Sequence, residues 1–387
     1  MVIAIPSFAK INLGLRIGAL RDDGFHELRT VYQTIALHDV IRVSVERGAG
    51  IEIRCDNPRV PKDSSNTCFR IVDLAMQALK AKGRVVVEIE KRLPVQGGLG
   101  GASGNAVAAL IALEKALRKG LAGAERFKIA AEVGSDVPLF LIGGTVLGLG
   151  RGEEVYPAQD LAAVACVVAM PGVAVSTPKA FRDWDGLVRA YPPIMDGEGD
   201  GIGQERLAEL RSAGTGEGAR PHTGDAYNAS SYNSSNSSSA DCGSSRYSKL
   251  TGLGRSDRMI EFSREISAWL SAGPGKMGRR RSGVSASRGG RAENLLLDLV
   301  RTGIENDFEK VVFPQFPELR EVKSVLERAG ARYASLSGSG SAVYGLFASR
   351  QKAVAAAKKL AQAGTPAMVT STLTRLQYWK KLLALSS

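Results

Sequence analysis

Apolar and polar positions alternate through the first 55 residues of this chain and then change to a helical period. Three stretches, IAIPSFAKINLGLRI, LRTVYQTIALHDVIRVSVE and IEIRC, combine that alternation with β-branched side chains and predict strands. Over residues 66–82, Ile71, Leu74, Ala75 and Leu79 share one face and Gly83 ends the run, which predicts a helix. VVVEIEKRL predicts a strand, Gly97–Gly101 a glycine-rich loop, and the residues from about Ser103 to Lys119 a helix. In that helix Val107, Leu110, Ile111 and Leu117 form an apolar stripe. Glu114 precedes Arg118 by four, Arg118 and Lys119 fall in the last turn, and Gly120 is the expected stop. A further helix is predicted over about Ala124–Val133. Residues 139–150 and 161–176 each read as a pair of strands. After Ala292 the pattern predicts helices at 292–306 and 318–329, strand structure in YASLSGSGSAVYGLF, a helix at 351–363 and a strand in AMVTSTL. Helices interleaved with returning strands imply an α+β protein, and 387 residues exceed one ordinary domain.

Between about 190 and 290 this patterning stops. AYNASSYNSSNSSSADCGSS is of low complexity and GPGKMGRRRSGVSASRGG is basic, and neither carries the apolar residues that a packed core requires. A short helical piece is predicted between them at about 256–271. The stretch changes how the net charge of +12 is read, because Cys242–Arg291 alone contains eleven basic and three acidic residues. The excess is local, so it gives little ground to expect nucleic acid as a partner. The longest apolar run, Leu161–Val175, is interrupted by Pro171-Gly172 and is too short for a membrane span of about 20 residues. The N-terminus has no cationic start before its apolar run, and Cys55, Cys68, Cys166 and Cys242 form no C-x-x-C pair. A cytoplasmic protein without a zinc site, disulfide framework or membrane partner is the expectation. Oligomeric state is left open.

Three motifs carry chemistry. The first is Pro94-Val-Gln-Gly-Gly-Leu-Gly-Gly-Ala-Ser-Gly-Asn105, which runs straight into the predicted helix. Its glycines let backbone approach a bulky ligand, and a helix N-terminus presents free N–H groups that bind phosphate. No G-x-x-x-x-G-K-[ST] occurs, and the one G-x-G-x-x-G match, at Gly273–Gly278, lies in the basic stretch with no strand before it. The second motif is Gly134-Ser-Asp-Val-Pro-Leu-Phe140, where Asp136 by itself would pass for a turn residue. The third is Ser335-Leu-Ser-Gly-Ser-Gly-Ser-Ala-Val-Tyr344, which by itself would pass for a hairpin. Lys10 stands in an otherwise apolar predicted strand, so an acidic partner is implied.

These motifs, in this order, resemble the GHMP small-molecule kinases (galactose, homoserine, mevalonate and phosphomevalonate kinases). PSFAKINLGLRI, DDGFHELRTVYQTIALHD, GSDVPLFLIGG, NDFEKVVFPQFPEL and SLSGSGSAVYGLF narrow the likeness to the branch that phosphorylates a cytidylylated methylerythritol for isoprenoid precursors. The resemblance covers about 1–185 and 292–387. It implies an N-terminal ATP-binding domain over 1–157 and a smaller C-terminal α+β domain over 158–387, the latter holding an insertion at about 190–255 and the basic stretch at about 273–291. It also implies transfer of phosphate from ATP, with Mg²⁺, to the 2-hydroxyl of the acceptor. Asp136 would be the base and Lys10 the cation beside it. Asn66, Pro94, Gly97, Gly98, Leu99, Gly100, Gly101, Ala102, Ser103 and Asn105 would hold ATP. Phe25 and Phe181 would clamp the cytosine, His26 would read its edge, and Asn12, Thr177, Gly338 and Ser339 would complete the acceptor side. No side chain is assigned as a metal ligand. Phe25 stands where Tyr is common, and Gly104 where a second Ser is common, which implies one donor fewer at the phosphates. Two other readings stay open: a GHMP kinase with a different acceptor alcohol, and an inactive ATP-binding module whose basic insertion contacts polyanions.

Overall fold

The computed structural model describes residues 1–190 and 304–384. The predicted helices at 256–271 and over most of 292–306, the low-complexity and basic tracts, and the G-x-G-x-x-G match all lie outside the described residues. Within them, the first sheet has six strands. β1 (Val2–Leu20) and β2 (His26–Glu46) form a long antiparallel hairpin, and β3 (Gly50–Arg54) lies parallel to β4 (Arg84–Glu90). The other edge of β2 is shared. Residues 40–46 pair with β4, and residues 30–33 pair with β5 (Thr145–Leu149), beyond which lies β6 (Glu154–Pro157).

The second sheet has four antiparallel strands. In order they are β10 (Ala367–Ser371), β7 (Ala165–Ala169), β9 (Val343–Phe347) and β8 (Tyr333–Leu336). Helix α1 (Thr67–Ala78) is capped by Asn66, α2 (Gly101–Leu117) follows the glycine loop, and α3 (Gly123–Val133) leads to a 3₁₀ turn at Pro138–Leu141. Later helices are α4 (Thr177–Ala190), the single turn α5 (Glu309–Val312), α6 (Pro317–Arg328), α7 (Arg350–Gln362) and α8 (Arg375–Ala384).

β1 threads through all three hydrophobic clusters. Ile3, Ile5 and Phe8 join the core beneath α1 and α2, Ala9, Ile11 and Leu13 join a core between the two sheets, and Leu15 and Ile17 join the core of the second sheet. Because side chains alternate across a strand, Lys10 and Asn12 point to the face opposite Ile11 and Leu13. A strand buried on both faces explains how a lysine sits in an apolar run: it faces the site, not the core.

Several expectations need correction. Residues 139–150 hold a 3₁₀ turn and one strand, since Pro138 at the start of the turn favours helical backbone over a ladder. Of 161–176 only Ala165–Ala169 is strand. YASLSGSGSAVYGLF forms β8 and β9 around its glycine-serine turn. Helix α2 is not a one-sided stripe, because every residue from Gly104 to Glu114 is buried, small alanines allowing β1, β2 and α1 to pack on it from different sides. It ends at Arg118, in the left-handed conformation at φ 53°, and not at Gly120. Glu114 consequently does not pair with Arg118. It accepts hydrogen bonds from Leu121 N at 2.7 Å and Arg126 Nε at 2.9 Å. Among the described residues, no helix is long and apolar enough to cross a membrane.

Candidate active site

The three motifs meet around β1. The N–H of Lys10 donates to the carbonyl of Leu99 at 2.9 Å, which lays the glycine loop on the strand. Gly100, at φ 67°, is the residue before α2, and a Cβ there would come within 2.9 Å of Lys10 Cγ and 3.0 Å of Phe140 Cζ. The third motif closes the loop from the other side. Ser337 Oγ donates to the carbonyl of Gly98 at 2.9 Å, and Ala342 N donates to Gly97 O at 3.2 Å. Asn306 ties the same turn down by donating to the carbonyls of Leu336 and Gly338.

Lys10 is the centre of this arrangement. Its Nζ donates to Asn12 Oδ1 at 2.7 Å and lies 3.4 Å from Asp136 Oδ2. Asn12 is fixed in turn, because its Nδ2 donates to Thr30 Oγ1 at 2.8 Å and that hydroxyl donates to Gly14 O. Asp136 sits where α3 gives way to the 3₁₀ turn, with its side chain a third exposed and its other oxygen accepting from Tyr32 Oη at 3.0 Å. The pair therefore sets a buried lysine beside a carboxylate that is open to solvent on one side.

All ten residues assigned to the nucleotide line one cleft of about 340 Å³ between α1, the end of β4 and the start of α2. Asn66 enters it as the cap of α1: its Oδ1 accepts from Cys68 N and its Nδ2 donates to Pro61 O. Asn105 Oδ1 is buried without a hydrogen-bond partner. Buried polar atoms ordinarily have a partner, so this oxygen is available to accept a hydrogen bond in the cleft. Gly104 has a different reason to be glycine than the loss of a phosphate donor. A Cβ there would come within 2.8 Å of Phe8 O and 2.9 Å of Ser7 Oγ, so the position faces β1, not the cleft.

Lys91 escaped the sequence analysis. It lines the cleft, a Cβ on Gly101 would stand 3.2 Å from its Nζ, and that Nζ donates to the buried Asp39 at 2.5 Å. Asp39 also accepts from the backbone N–H groups of Arg92 and Leu93. A cation is thus buried beside the N-terminus of α2. Its only signal in the chain is a lysine three residues before Pro94. Tyr32, inside the DDGFHELRTVYQTIALHD stretch but given no role there, and Asp185, outside every quoted motif, are further additions.

The residues assigned to the acceptor fall into two groups. Thr177 Oγ1 and Ser339 Oγ are 2.7 Å apart, joining the start of α4 to the third motif. A Cβ on Gly338 would stand 3.5 Å from Asn12 Oδ1 and 3.6 Å from Lys10 Nζ, which places that turn against the ion pair. His26 and Phe181 form the second group. Their rings stack at 4.9 Å with 9° between planes, and His26 Nε2 lies 2.8 Å from Asp185 Oδ1. An ionised carboxylate only accepts, so Nε2 carries the proton. Phe25 is 51% exposed and lies under the Arg151 guanidinium at 5.0 Å. Phe181 therefore offers its ring to His26, and Phe25 stands apart under a cation.

The description "GHMP kinases N terminal domain" matches residues 66–144, and "GHMP kinases C terminal" matches 290–365. A 4-diphosphocytidyl-2-C-methyl-D-erythritol kinase of Solibacter usitatus is 30% identical over 383 residues, covering 98% of this chain and 92% of that protein. One from Acaryochloris marina is 30% identical, covering 91% and 89%. A crystal structure of 4-(cytidine 5'-diphospho)-2C-methyl-D-erythritol kinase superposes with a TM-score of 0.59 at 25% identity, over 96% of this chain and 99% of the other. The L. major mevalonate kinase, solved in complex with R-mevalonate, shares the fold at a TM-score of 0.58 and 16% identity, over 96% of each chain. With a glycine loop, an aspartate and a serine-glycine turn assembled about one lysine, and with relatives matching over nearly the whole length, the chain belongs to the GHMP kinases, in the 4-diphosphocytidyl-2-C-methyl-D-erythritol kinase family.

Proposed function

We propose that this protein transfers the γ-phosphoryl group of ATP to the 2-hydroxyl of 4-diphosphocytidyl-2-C-methyl-D-erythritol, a step of the non-mevalonate route to isoprenoid precursors. The observation that carries the reading is the Lys10–Asp136 pair at 3.4 Å, set against the glycine loop by the Lys10 N–H to Leu99 O bond. ATP lies in the cleft, its phosphates along Gly97–Ser103 and its base toward Asn66. The acceptor hydroxyl gives its proton to Asp136. Its oxygen forms a bond to the γ-phosphorus as the bond from that phosphorus to the bridging oxygen breaks, and ADP leaves. Lys10 stabilises the charge that grows on the acceptor oxygen, so the protein contributes position and electrostatics to phosphoryl transfer.

The residues around the cleft fit a nucleotide: glycines where a Cβ would collide, a helix N-terminus, a buried lysine and an unpartnered Asn105 oxygen. No group of three or more His, Cys, Asp or Glu among the described residues could cage a metal ion. Mg²⁺ brought in with ATP would neutralise phosphate charge, and no side chain of this chain is assigned as its ligand. We assign the cytidine end to His26, with Phe181 behind it, and to the half-exposed Phe25, and Asn12, Thr177, Gly338 and Ser339 border the sugar-alcohol and diphosphate side. Residues 1–157 hold the nucleotide, and 158–387 supply the turn that closes on it. The free thiols of Cys55, Cys68 and Cys166 suit a cytoplasmic location.

The test is a phosphorylation assay of the purified full chain with cytidylylated methylerythritol, homoserine, mevalonate and galactose. ADP release with the first acceptor at a kcat/KM at least a hundredfold above the others is expected. Equal use of another alcohol would reject this acceptor.

A further inference from the structure

Tyr32 has no part in the reaction as written above, yet the fold is built to seat it. Its side chain is buried on β2, at the position paired with Asn12 of β1. Two glycines make room for it: a Cβ on Gly148 would come within 2.5 Å of Tyr32 Cε2, and one on Gly152 within 2.5 Å of Tyr32 Oη. Burial first, and the charge of Asp136 next, push the phenol well above its ordinary pKa, so the hydroxyl keeps its proton and acts as a donor. It donates a hydrogen bond to Asp136 Oδ1 at 3.0 Å.

The two oxygens of Asp136 are thereby made unequal. Oδ1 is occupied by a donor. Oδ2 faces Lys10 Nζ at 3.4 Å, beyond a short hydrogen bond, because that ammonium is drawn 2.7 Å from Asn12 Oδ1. Without the phenol, the carboxylate torsion is soft and two-fold, and the oxygens would exchange roles. We propose that Tyr32 is a positioning residue, seated by Gly148 and Gly152, that locks the Asp136 carboxylate so that Oδ2 is the oxygen receiving the acceptor's proton. In that step the acceptor O–H bond breaks, a bond forms between the proton and Oδ2, and the electron pair left on the acceptor oxygen attacks phosphorus. The proposal rests on Asp136 being the base.

The experiment compares full-length wild type, Tyr32→Phe, Asp136→Asn and the double variant, using ATP and the cytidylylated acceptor. Tyr32→Phe keeps the ring in its seat, so the unfolding midpoint and ATP affinity should match wild type. Its kcat should fall about tenfold with both KM values within twofold, the pattern of a lost transition-state contribution. In the Asp136→Asn background the same change should leave the residual rate unaltered, because a residue acting only through Asp136 has nothing left to act on. A kcat within twofold of wild type would overturn the proposal while leaving Asp136 as base. So would an equal fractional loss in the Asp136→Asn background. Near-wild-type turnover by Asp136→Asn itself would remove the base, and this proposal with it.

Discussion

Gly98 lies directly beneath the carbonyl oxygen of Ser337, so that a Cβ added to the glycine would be driven into that oxygen. The contact joins the glycine loop to a turn more than two hundred residues later, and Ser337 Oγ reinforces it by donating to Gly98 O at 2.9 Å. Gly98 also has φ 71°, where a side chain is strained. Gly98→Ala should lower stability by about 2–4 kcal/mol, from left-handed strain plus overpacking. ATP affinity should drop at least tenfold by calorimetry, because the loop has to move off the turn. Gly172→Ala, with open space at its Cβ, should change stability by less than about 0.5 kcal/mol in the same denaturant titration.

The Lys10–Asp136 pair should behave as a unit. Asp136→Asn should reduce kcat by about 10²–10⁴-fold, the range of a lost general base, with ATP binding nearly intact. Lys10→Ala should also cripple turnover, and the double variant should be little worse than either single one. Multiplicative losses in the double variant would show that the two groups act separately.

The acceptor pocket gives a graded prediction. Phe181 is packed between His26, stacked at 4.9 Å, and Phe308, met edge-on at 5.0 Å. Phe181→Ala should therefore remove the ring that supports His26, lowering kcat/KM for the cytidylylated acceptor by about 0.5–1.5 kcal/mol, the scale of an aromatic pair. Phe25→Ala should lie at the low end of that range, since the ring is half exposed, and Phe25→Tyr should be nearly neutral. Asp185→Ala frees the His26 ring and should raise the acceptor KM several-fold while the KM for ATP stays constant. Equal kcat/KM with and without the cytidine diphosphate on the acceptor would eliminate the pocket.

The end of α2 offers a test of the fold apart from the chemistry. Arg118 holds a left-handed conformation at φ 53°, and its N–H donates to the carbonyls of Glu114 and Lys115 as a C-terminal cap does. Glycine adopts that conformation without a Cβ penalty. Arg118→Gly should raise stability by about 0.5–1 kcal/mol in thermal or denaturant unfolding, and Gly120→Ala should have little effect. The opposite ranking would return the helix end to Gly120.

The residues near in sequence explained most of the local structure. Alternation marked β1 and β2, the 3.6 period marked α1, α3, α6 and α7, and the glycines marked the loop before α2, because these depend on neighbours a few positions away. Lys10 in an apolar strand correctly implied an acidic partner, since a buried cation needs one. Packing decided the rest. α2 has a weak apolar stripe yet is buried on all sides, because its alanines and Gly104 let β1, β2 and α1 approach together. α8 was not foreseen, and it packs Tyr378 and Leu382 into the core of the first sheet, Tyr378 Oη donating to Phe140 O at 2.7 Å. Lys91, Tyr32 and Asp185 entered the site only when strands and helices distant in sequence were brought side by side. A hydrogen bond such as Tyr32 to Asp136, between residues 104 positions apart, leaves no local pattern to read. The residues that meet around Lys10 were legible in the sequence as separate motifs, but the oxygen each donor meets was set by the register of β1 on β2 and by the glycines that let the turns close.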